Sequence, residues 1–311
     1  MRKLKINFVD FWPGFDEKSN FFLDLLGDSA TLSDSPELLF FGNFGKKHLK
    51  YNCFKVFFSS ENERPNFFET DVALTFDYNS SPRHFRLPLY LLYMHRYKLL
   101  LNDKSLGIRK LDPVEWQKKK FCCMVVSNGN SRFRNSFYKF LADKENIDSG
   151  GRFLNNVGGP VNDKLDFIKD YKFVISFENS SFKGYTTEKI LEPFMVNSIP
   201  IYWGNKAVDF DFNSNAYLQV RNKKDFESVY TKMKHLEHNP NEALKIVNSH
   251  KIDLLKEFYE FDKIKSFILE SFYSKKILVS QIKFYRWVTF LRLKLKTINY
   301  WMKHYTVGHY R

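Results

Sequence analysis

The sequence contains few cysteines, and they do not form the pattern of a disulfide-stabilised or zinc-binding domain. Only Cys53, Cys122 and Cys123 occur among 311 residues, and two of them are adjacent. An odd count with an adjacent pair is a poor disulfide framework, and no cysteine or histidine cluster has metal-ligand spacing. We therefore expect free thiols, no metal site and a reducing, intracellular location.

Long apolar runs are also absent. No stretch of about 18 uncharged apolar residues occurs, so no segment is predicted to span a membrane. Residues 1–10 mix charged and apolar side chains and lack the apolar core of a signal peptide. The sequence therefore predicts a protein that is neither secreted nor integral to a membrane.

Acidic residues are missing from the C-terminal segment. No Asp or Glu follows Glu270, but nine Lys and Arg residues do. This segment therefore supplies nine of the 14 net positive charges of the chain. The body is only mildly basic and shows no pattern of a nucleic-acid-binding fold, so no nucleic-acid partner is expected. The basic residues of this segment are Lys275, Lys276, Lys283, Arg286, Arg292, Lys294, Lys296, Lys303 and Arg311.

The same segment has helical amphipathic spacing. Its apolar residues recur three or four positions apart from Phe284 to Tyr305, and Trp287 and Trp301 add amphipathic rings. A basic amphipathic helix of this kind predicts binding to an anionic membrane surface through residues 275–311. Packing of this helix on the body or on another subunit, and nucleic-acid binding, remain alternatives.

The body alternates short apolar runs with helical patterns, which predicts a doubly wound α/β fold. We divide the chain into an N-terminal domain at 1–118, a C-terminal domain at 119–270 and a basic tail at 271–311. The predicted strands are 5–10, 37–41, 54–58, 71–76, 121–126, 172–177 and 199–203. The predicted helices are 86–101, 131–143 and one that begins at Thr186 or Thr187.

One segment combines several features of a site for a phosphorylated sugar. A buried strand brings Glu178 and Asn179 to its carboxyl end, where ligands bind in open α/β sheets. A loop with Gly184 follows, and then a helix begins, whose free N–H groups and dipole favour anions. Lys189 would add a positive charge there, and Glu188 could accept hydrogen bonds from hydroxyl groups. An ordinary capped helix start is the alternative.

This segment resembles the signature of the α1,3-fucosyltransferases of glycosyltransferase family 10, and the bacterial Lewis-antigen type is nearest. The resemblance covers roughly residues 5–245 and is carried by several motifs in order. Besides 177–204, the matching segments are 10–15, 57–67, 83–90, 127–138 and 148–151.

The resemblance implies a GT-B architecture of two Rossmann-like domains facing a cleft. In such enzymes the first domain holds the acceptor and the second holds GDP-fucose. The sugar is moved in one inverting displacement without a required metal or other cofactor. The implied acceptor is an N-acetyllactosamine-type glycan, and the choice between α1,3 and α1,4 linkage stays open.

The resemblance also implies catalytic and phosphate-binding roles. Glu61 would be the general base that takes the proton of the acceptor hydroxyl, and Glu63, two residues away, is its rival. Arg134 and Lys189 would hold the diphosphate and stabilise the charge of the leaving group. Arg132 is an alternative to Arg134.

Further donor-binding residues follow from the same match. Asn179, Tyr185 and Glu188 resemble the family's donor-binding residues, although Tyr185 could instead be a core side chain. Glu178 would either contact the donor itself or support the residues that contact it. Ser127 and Asn128 are additional candidates.

The expected protein is thus a bacterial-type cytoplasmic enzyme that is peripheral on the inner face of the cytoplasmic membrane. Its expected product is a Lewis-type glycan of the kind carried on lipopolysaccharide. Its partners would be GDP-fucose, a glycan acceptor and the anionic membrane surface. The alternatives are a transferase for another nucleotide sugar, and a non-enzymatic basic protein that binds nucleic acid or membranes.

Overall fold

The computed structural model describes residues 2–99, 106–252, 261–274, 291–292 and 294–295. The chain forms two compact units, and both are assembled from separated segments. The first unit comprises Met1–Thr75, Asn79–Arg86 and Tyr259–Arg311, and the second comprises Phe76–Tyr78 and Leu87–Phe258.

Strands and helices alternate along most of the chain. The strands are β1 (Leu4–Val9), β2 (Ala30–Leu32), β3 (Leu38–Phe41), β4 (Phe54–Phe58), β5 (Val72–Thr75), β6 (His84–Arg86), β7 (Lys120–Met124), β8 (Ile147–Ser149), β9 (Tyr171–Phe177), β10 (Ile199–Trp203) and β11 (Leu218–Gln219). The helices are α1 (Phe21–Leu26), α2 (Leu89–Arg96), α3 (Pro113–Lys118), α4 (Arg132–Ala142), α5 (Lys164–Ile168), α6 (Glu188–Met195), α7 (Asp225–His238), α8 (Pro240–Val247) and α9 (Phe261–Tyr273).

The first unit is built on a six-stranded parallel sheet in the order β2-β1-β3-β4-β5-β6. Every side chain of β3, β4 and β5 is buried, as expected for continuous apolar runs in a sheet covered on both faces. Phenylalanine rings fill one face, with Phe40 stacked 5.3 Å from Phe8 and 4.8 Å from Phe22. The chain contains 34 phenylalanines, and in this sheet they serve core packing.

Helix α9 completes this first unit. Its aromatic residues Phe261, Phe267 and Phe272 contact rings of the first unit at centroid distances of 5.6, 5.4 and 5.7 Å, and Ile264 and Ile268 are buried. The sequence-based boundaries placed this helix in the C-terminal domain. The structure groups it with the first unit because its residues contact α1, β4 and β6.

The second unit contains a five-stranded parallel sheet in the order β11-β10-β9-β7-β8. Strand β9 is central and buried along its whole length. Helix α2 packs on α6 and α3 packs on α8, so the segment from Leu87 onward belongs to this unit. The change of unit therefore lies near residue 87 rather than at the predicted boundary of 118.

The helix predicted at 86–101 is shorter than its apolar pattern. Arg86 ends strand β6, and Pro88 precedes the helix at the N-cap position, where its missing N–H costs no hydrogen bond. The helix ends at Arg96, and Lys98 adopts a positive φ of 54°. The predicted helix was too long because apolar periodicity does not register the proline before its first turn or the positive φ after its last.

Two smaller expectations are also decided by the structure. Cys53, Cys122 and Cys123 are buried free thiols, as predicted. Thr187, one of the two predicted caps, is the N-cap of α6. Within the described ranges, no helix has the length and apolar content needed to cross a bilayer.

Most of the basic tail, including the greater part of residues 275–311, lies outside the described residues. The helical residues Leu291, Arg292, Lys294 and Leu295 are described. Arg292 Nη1 lies 2.6 Å from Glu69 Oε1 in the first unit, while Leu291 and Leu295 are exposed. At this point of the tail a basic side chain contacts the body and apolar side chains face solvent.

Glu69 also belongs to a buried charge network around His48. His48 Nδ1 lies 2.7 Å from Asp10 Oδ2, and His48 Nε2 lies 3.3 Å from Glu69 Oε2. The hydrogen bond from His48 is the main reason why the pKa of Glu69 falls to about 2, and Lys46 and Arg292 also lower it. The network joins the loop after β1 to the segment before β5.

This network predicts a loss of stability in acid. Because the pKa of Glu69 is about 2 in the folded protein and 4.5 ordinarily, the unfolded chain takes up this proton first as the pH falls. Its stabilising effect, roughly 3 kcal/mol at most, is therefore present above pH 4.5 and lost between about pH 4.5 and 2. Urea unfolding of Glu69→Gln and wild type should show a stability gap at pH 6.5 that narrows clearly at pH 3.5.

The control for this prediction is Glu17→Gln, which changes an exposed loop carboxylate. Its unfolding free energy should stay within about 0.5 kcal/mol of wild type at both pH values. A gap between Glu69→Gln and wild type that is the same at pH 6.5 and 3.5 would contradict the assignment.

Candidate functional site

The carboxyl end of β9 carries a fully buried carboxylate, Glu178. Its Oε1 accepts a hydrogen bond of 2.8 Å from the backbone N–H of Thr187, and its Oε2 accepts one of 2.8 Å from Thr187 Oγ1. Burial raises the pKa of Glu178, against the lowering effects of Lys189 and of Thr187. Glu178 therefore ties the end of the central strand to the start of α6.

Lys189 lies in the first turn of α6, as predicted, and contacts the same group. Its Nζ is 3.1 Å from Thr187 Oγ1, 3.4 Å from Glu178 Oε2 and 3.5 Å from Glu188 Oε1. Burial alone would lower the pKa of Lys189, but the carboxylates of Glu188 and Glu178 outweigh it and raise that pKa. A charged ammonium group is thus held at a helix N-terminus.

Glu188 balances part of this charge. Burial alone would raise the pKa of Glu188, but Lys189 and then Lys164 lower it below its ordinary value. Its side chain remains partly accessible, so its oxygens can also accept hydrogen bonds from a ligand's hydroxyl groups.

Two glycines allow the loops around these groups to approach closely. A Cβ at Gly204 would lie 2.4 Å from Glu178 Cγ. Gly184 has a φ of 91°, and a Cβ there would lie 2.5 Å from the carbonyl oxygen of Phe76. A larger residue at Gly204 would clash with Glu178, and one at Gly184 would push the loop before α6 away from Phe76.

Arg134, from helix α4, is fully buried beside the same strand end. Its Nη1 donates to Phe177 O at 3.3 Å and to Asn179 Oδ1 at 3.1 Å, and its Nη2 donates to Asn128 O. Its Nε is buried without a hydrogen-bond partner. Burial lowers the pKa of Arg134, and Glu178 partly opposes this.

All partners of Arg134 among the described residues are neutral oxygens. No carboxylate pairs with it, in contrast to Lys189, whose charge two carboxylates balance. A buried cation without a paired anion is costly, and a bound anion would remove that cost through charge-assisted hydrogen bonds. The arrangement therefore suits a ligand with negative oxygens, such as a diphosphate.

The other candidates of the second unit occupy different positions. Asn179 contacts Arg134 directly, and Asn128 does so through its backbone carbonyl rather than its side chain. Ser127 is exposed. Tyr185 is buried, with its ring 5.1 Å from that of Phe76 in an edge-on contact. Tyr185 thus lies in the core of the second unit, and its role in donor binding stays a prediction.

Sequence reasoning missed two residues that hold the site in shape. Thr187 was expected only as a helix cap, yet it bonds Glu178 twice and contacts Lys189. Asn205 is buried, and its Oδ1 accepts hydrogen bonds from Gly184 N at 2.7 Å and from Ala207 N at 2.9 Å. A Gly-Asn pair directly after a predicted strand, at 204–205, was the available signal.

Glu61 and Glu63 lie in the first unit, in the loop that follows β4. Buried Ser59 donates from Oγ to Glu61 O at 2.7 Å and accepts from Glu61 N at 3.2 Å. Glu63 N also donates to Glu61 O at 2.7 Å. The backbone at Glu61 is therefore fixed, and its side chain is partly buried whereas Glu63 is exposed.

In the part of the chain that the structure describes, no three His, Cys, Asp or Glu side chains gather as a metal ion would require.

Two family models match the chain and together span about three quarters of it. The α-(1,3)-fucosyltransferase FucT N-terminal domain matches residues 6–93, and the glycosyltransferase family 10 (fucosyltransferase) C-terminal domain matches residues 116–268. The chain belongs to glycosyltransferase family 10. The resemblance inferred from the sequence motifs is thereby confirmed.

Relatives within family 10 differ in how much they share with this chain. It is 30% identical over 309 residues to the α-(1,3)-fucosyltransferase FucT of Helicobacter pylori, an alignment that covers 85% of this chain and 65% of that protein. The chain thus spans just under two thirds of that relative. It is also 33% identical over 124 residues to the mouse 4-galactosyl-N-acetylglucosaminide 3-alpha-L-fucosyltransferase 9, covering 38% of this chain and 33% of that protein.

A solved structure confirms the predicted fold class of this family 10 chain. The crystal structure of an α1,3-fucosyltransferase with GDP-fucose is similar with a TM-score of 0.75 and 26% identity, over 89% of this chain and 92% of that one. The predicted GT-B fold is therefore correct.

The site predicts that Arg134, and not its neighbour Arg132, binds phosphate. Arg134→Ala should weaken GDP binding by roughly 30- to 100-fold, because it removes charge-assisted hydrogen bonds. Arg132 is exposed on the same helix, and Arg132→Ala should leave the affinity within about twofold. Isothermal titration calorimetry with GDP measures both.

Because Arg134 is buried, its removal also affects folding, and Arg134→Lys serves as a second variant that keeps the charge. Melting temperatures show which variants remain folded. A folded Arg134→Ala protein with wild-type GDP affinity, or an Arg132→Ala protein with the larger loss, would show that the wrong arginine has been assigned.

Proposed function

We propose that this chain is an inverting α1,3-fucosyltransferase that moves L-fucose from GDP-fucose to a hydroxyl of an N-acetyllactosamine-type glycan. Family membership supports this proposal, as does the likeness to an α1,3-fucosyltransferase solved with GDP-fucose. The observation that carries it is the buried guanidinium of Arg134, whose hydrogen-bond partners among the described residues are all neutral oxygens, at the strand end that also holds charged Lys189. The name of the mouse relative supports the acceptor class.

In this proposal the diphosphate lies between Arg134 and the start of α6. Arg134 Nε, which is buried without a partner, and the N–H groups of the first helical turn would donate to phosphate oxygens. Lys189 would exchange part of its contact with Glu178 or Glu188 for the phosphate. Glu188 and Asn179 would bond hydroxyl groups of the ribose or fucose.

The chemical step is a single displacement. The acceptor hydroxyl oxygen bonds to the anomeric carbon of fucose while the bond from that carbon to the β-phosphate oxygen breaks, and the electron pair leaves with GDP. The fixed cations Arg134 and Lys189 stabilise the negative charge that grows on the diphosphate. The hydroxyl proton passes to a carboxylate and then to water.

We assign the role of general base to Glu61. The match of its loop to the family motif supports this assignment, and so does its backbone, which hydrogen bonds to Ser59 hold in one conformation. Glu63 lacks comparable support because it is exposed.

The base assignment predicts separate effects on transfer and on donor binding. Glu61→Gln should lower kcat by at least about 100-fold, since proton transfer is lost, while GDP affinity stays within about twofold. Glu63→Gln is the matched control and should keep near-wild-type kcat. The assay measures transfer from GDP-fucose to N-acetyllactosamine, with the product linkage read by NMR and with EDTA present in a parallel reaction.

Each part of the proposal can fail separately in this assay. Full activity of Glu61→Gln would remove that residue from the mechanism, and a large loss in Glu63→Gln would transfer the role to Glu63. Activity that EDTA abolishes would overturn the metal-independent displacement. Wild-type protein that neither binds GDP nor transfers fucose would overturn the proposed function.

We also propose that the tail holds the enzyme on the anionic inner face of the bacterial cytoplasmic membrane, where a Lewis-type glycan destined for lipopolysaccharide would be accessible. The support is the run of nine basic residues without an acidic one and the solvent exposure of Leu291 and Leu295.

Neutralising part of the tail should release the protein from anionic vesicles. Each basic residue near such a surface contributes about 1 kcal/mol, so Lys275→Gln, Lys276→Gln and Lys283→Gln together should weaken binding about 100-fold. Co-sedimentation with phosphatidylglycerol vesicles measures the affinity, and phosphatidylcholine vesicles are the control. Unchanged sedimentation of the triple variant, or equal binding to both lipids, would contradict membrane docking through charge.

A further inference from the structure

Three exposed aromatic rings surround the loop that leads into α6 of the second unit. Tyr78 is 46% exposed, Phe182 is 43% exposed and Phe210 is 66% exposed. They come from three separate segments of the chain, and only Phe182 lies in a segment, 177–204, that resembles a family motif. Exposed apolar groups that cluster in this way are characteristic of interaction sites.

Contacts join these rings into one surface, which we call the aromatic platform (Tyr78, Phe182 and Phe210). The rings of Tyr78 and Phe210 lie 6.1 Å apart. The ring of Phe182 contacts that of buried Phe76, with 6.2 Å between the two centroids. A Cβ on Gly184 would lie 3.2 Å from the Tyr78 ring, so that ring covers the glycine between Phe182 and the helix start.

The platform rests on a rigid support. Buried Asn205 bonds Gly184 N on one side and Ala207 N on the other, and its Nδ2 donates to Thr186 Oγ1 at 3.0 Å. Ser181 Oγ also donates to Gly204 O at 2.6 Å. The loops that carry Phe182 and Phe210 are therefore held in a fixed relation, which is a property of preorganised binding sites.

The same hydrogen bonds connect the platform to the proposed donor site. Thr186, which Asn205 holds, is followed directly by Thr187, whose hydroxyl contacts Glu178 and Lys189. An acceptor must approach the donor sugar bound there. A surface built on these loops is in a position to bind the part of the acceptor that is not itself attacked.

The chemistry of the platform matches a sugar better than a lipid surface. The negative faces of aromatic rings attract the polarised C–H groups on the apolar face of a pyranose. Lys183 Nζ lies 5.4 Å from the Tyr78 ring, and exposed Lys206 and Asp209 flank Phe210, so both donors and acceptors are available for hydroxyl groups. The acidic side chain of Asp209 beside Phe210 disfavours an anionic membrane as the occupant.

We propose that the aromatic platform is a subsite for an acceptor glycan, binding pyranose rings next to the one that receives fucose. This inference rests on the proposed function, since it is that function which requires a glycan beside the donor. The platform would therefore make the enzyme prefer longer acceptors, because a longer glycan gains contacts that a disaccharide cannot make.

Kinetics with two acceptors test this subsite. Phe210→Ser, Tyr78→Ser and Phe182→Ser should each raise KM for a poly-N-acetyllactosamine hexasaccharide by about tenfold and leave KM for the disaccharide within about twofold. GDP affinity and kcat should not change. Val114→Ser, which alters an apolar side chain 59% exposed in the same unit, is the matched control and should change none of these values.

A binding measurement separates failure of the subsite from failure of the proposed function. NMR line broadening of the hexasaccharide by GDP-loaded wild type, lost in the Tyr78→Ser, Phe182→Ser and Phe210→Ser triple variant, would support the platform even if no fucose were transferred. The inference is overturned if all variants keep wild-type KM for both acceptors, or if the triple variant broadens the glycan signals as wild type does. It is also overturned if the triple variant changes only the sedimentation coefficient, which would make the platform a contact between copies of this chain.

Discussion

A carboxylate buried at the end of a central strand organises the second unit. Glu178 has no access to solvent, so its charge requires partners, and Thr187 and Lys189 supply them from the first residues of α6. The helix start, the strand end and the Gly204 turn are thereby fixed relative to one another. A helix N-terminus oriented in this way is ready for an anion before any ligand arrives, so little reorganisation is needed on binding.

The site contains two cations in different electrostatic situations. Lys189 is balanced by two carboxylates and keeps its charge without a ligand, whereas Arg134 is buried among neutral oxygens. In the first arrangement the carboxylates offset the cost of burying the ammonium group, and the second arrangement leaves a local cost that a bound diphosphate can remove. A site that combines both can be folded when empty and still bind its ligand strongly.

Sequence patterns predicted the parts of the structure that local chemistry determines. The apolar runs located β4 and β10 to the residue, and the threonines before Glu188 indicated the cap of α6. The short strands β2, β8 and β11 gave too little signal. The return of α9 to the first unit depends on contacts between residues more than 200 positions apart, which no local pattern reveals. In the site, Lys189 and Glu188 were evident from the helix start, but the burial of Arg134 and the exposure of Phe210 follow only from tertiary packing.

The interleaved segments of the first unit have a consequence for synthesis on the ribosome. All segments of the second unit have been made once residue 258 is complete, but the first unit lacks α9 until residue 273. Domains usually fold as units from the N-terminus during synthesis, but here the first unit cannot be completed before every segment of the second has been made. Until α9 emerges, the rings of Phe21, Phe54 and Phe85 stay uncovered on the nascent chain, which makes the first unit a natural client for chaperones that bind exposed aromatic surface.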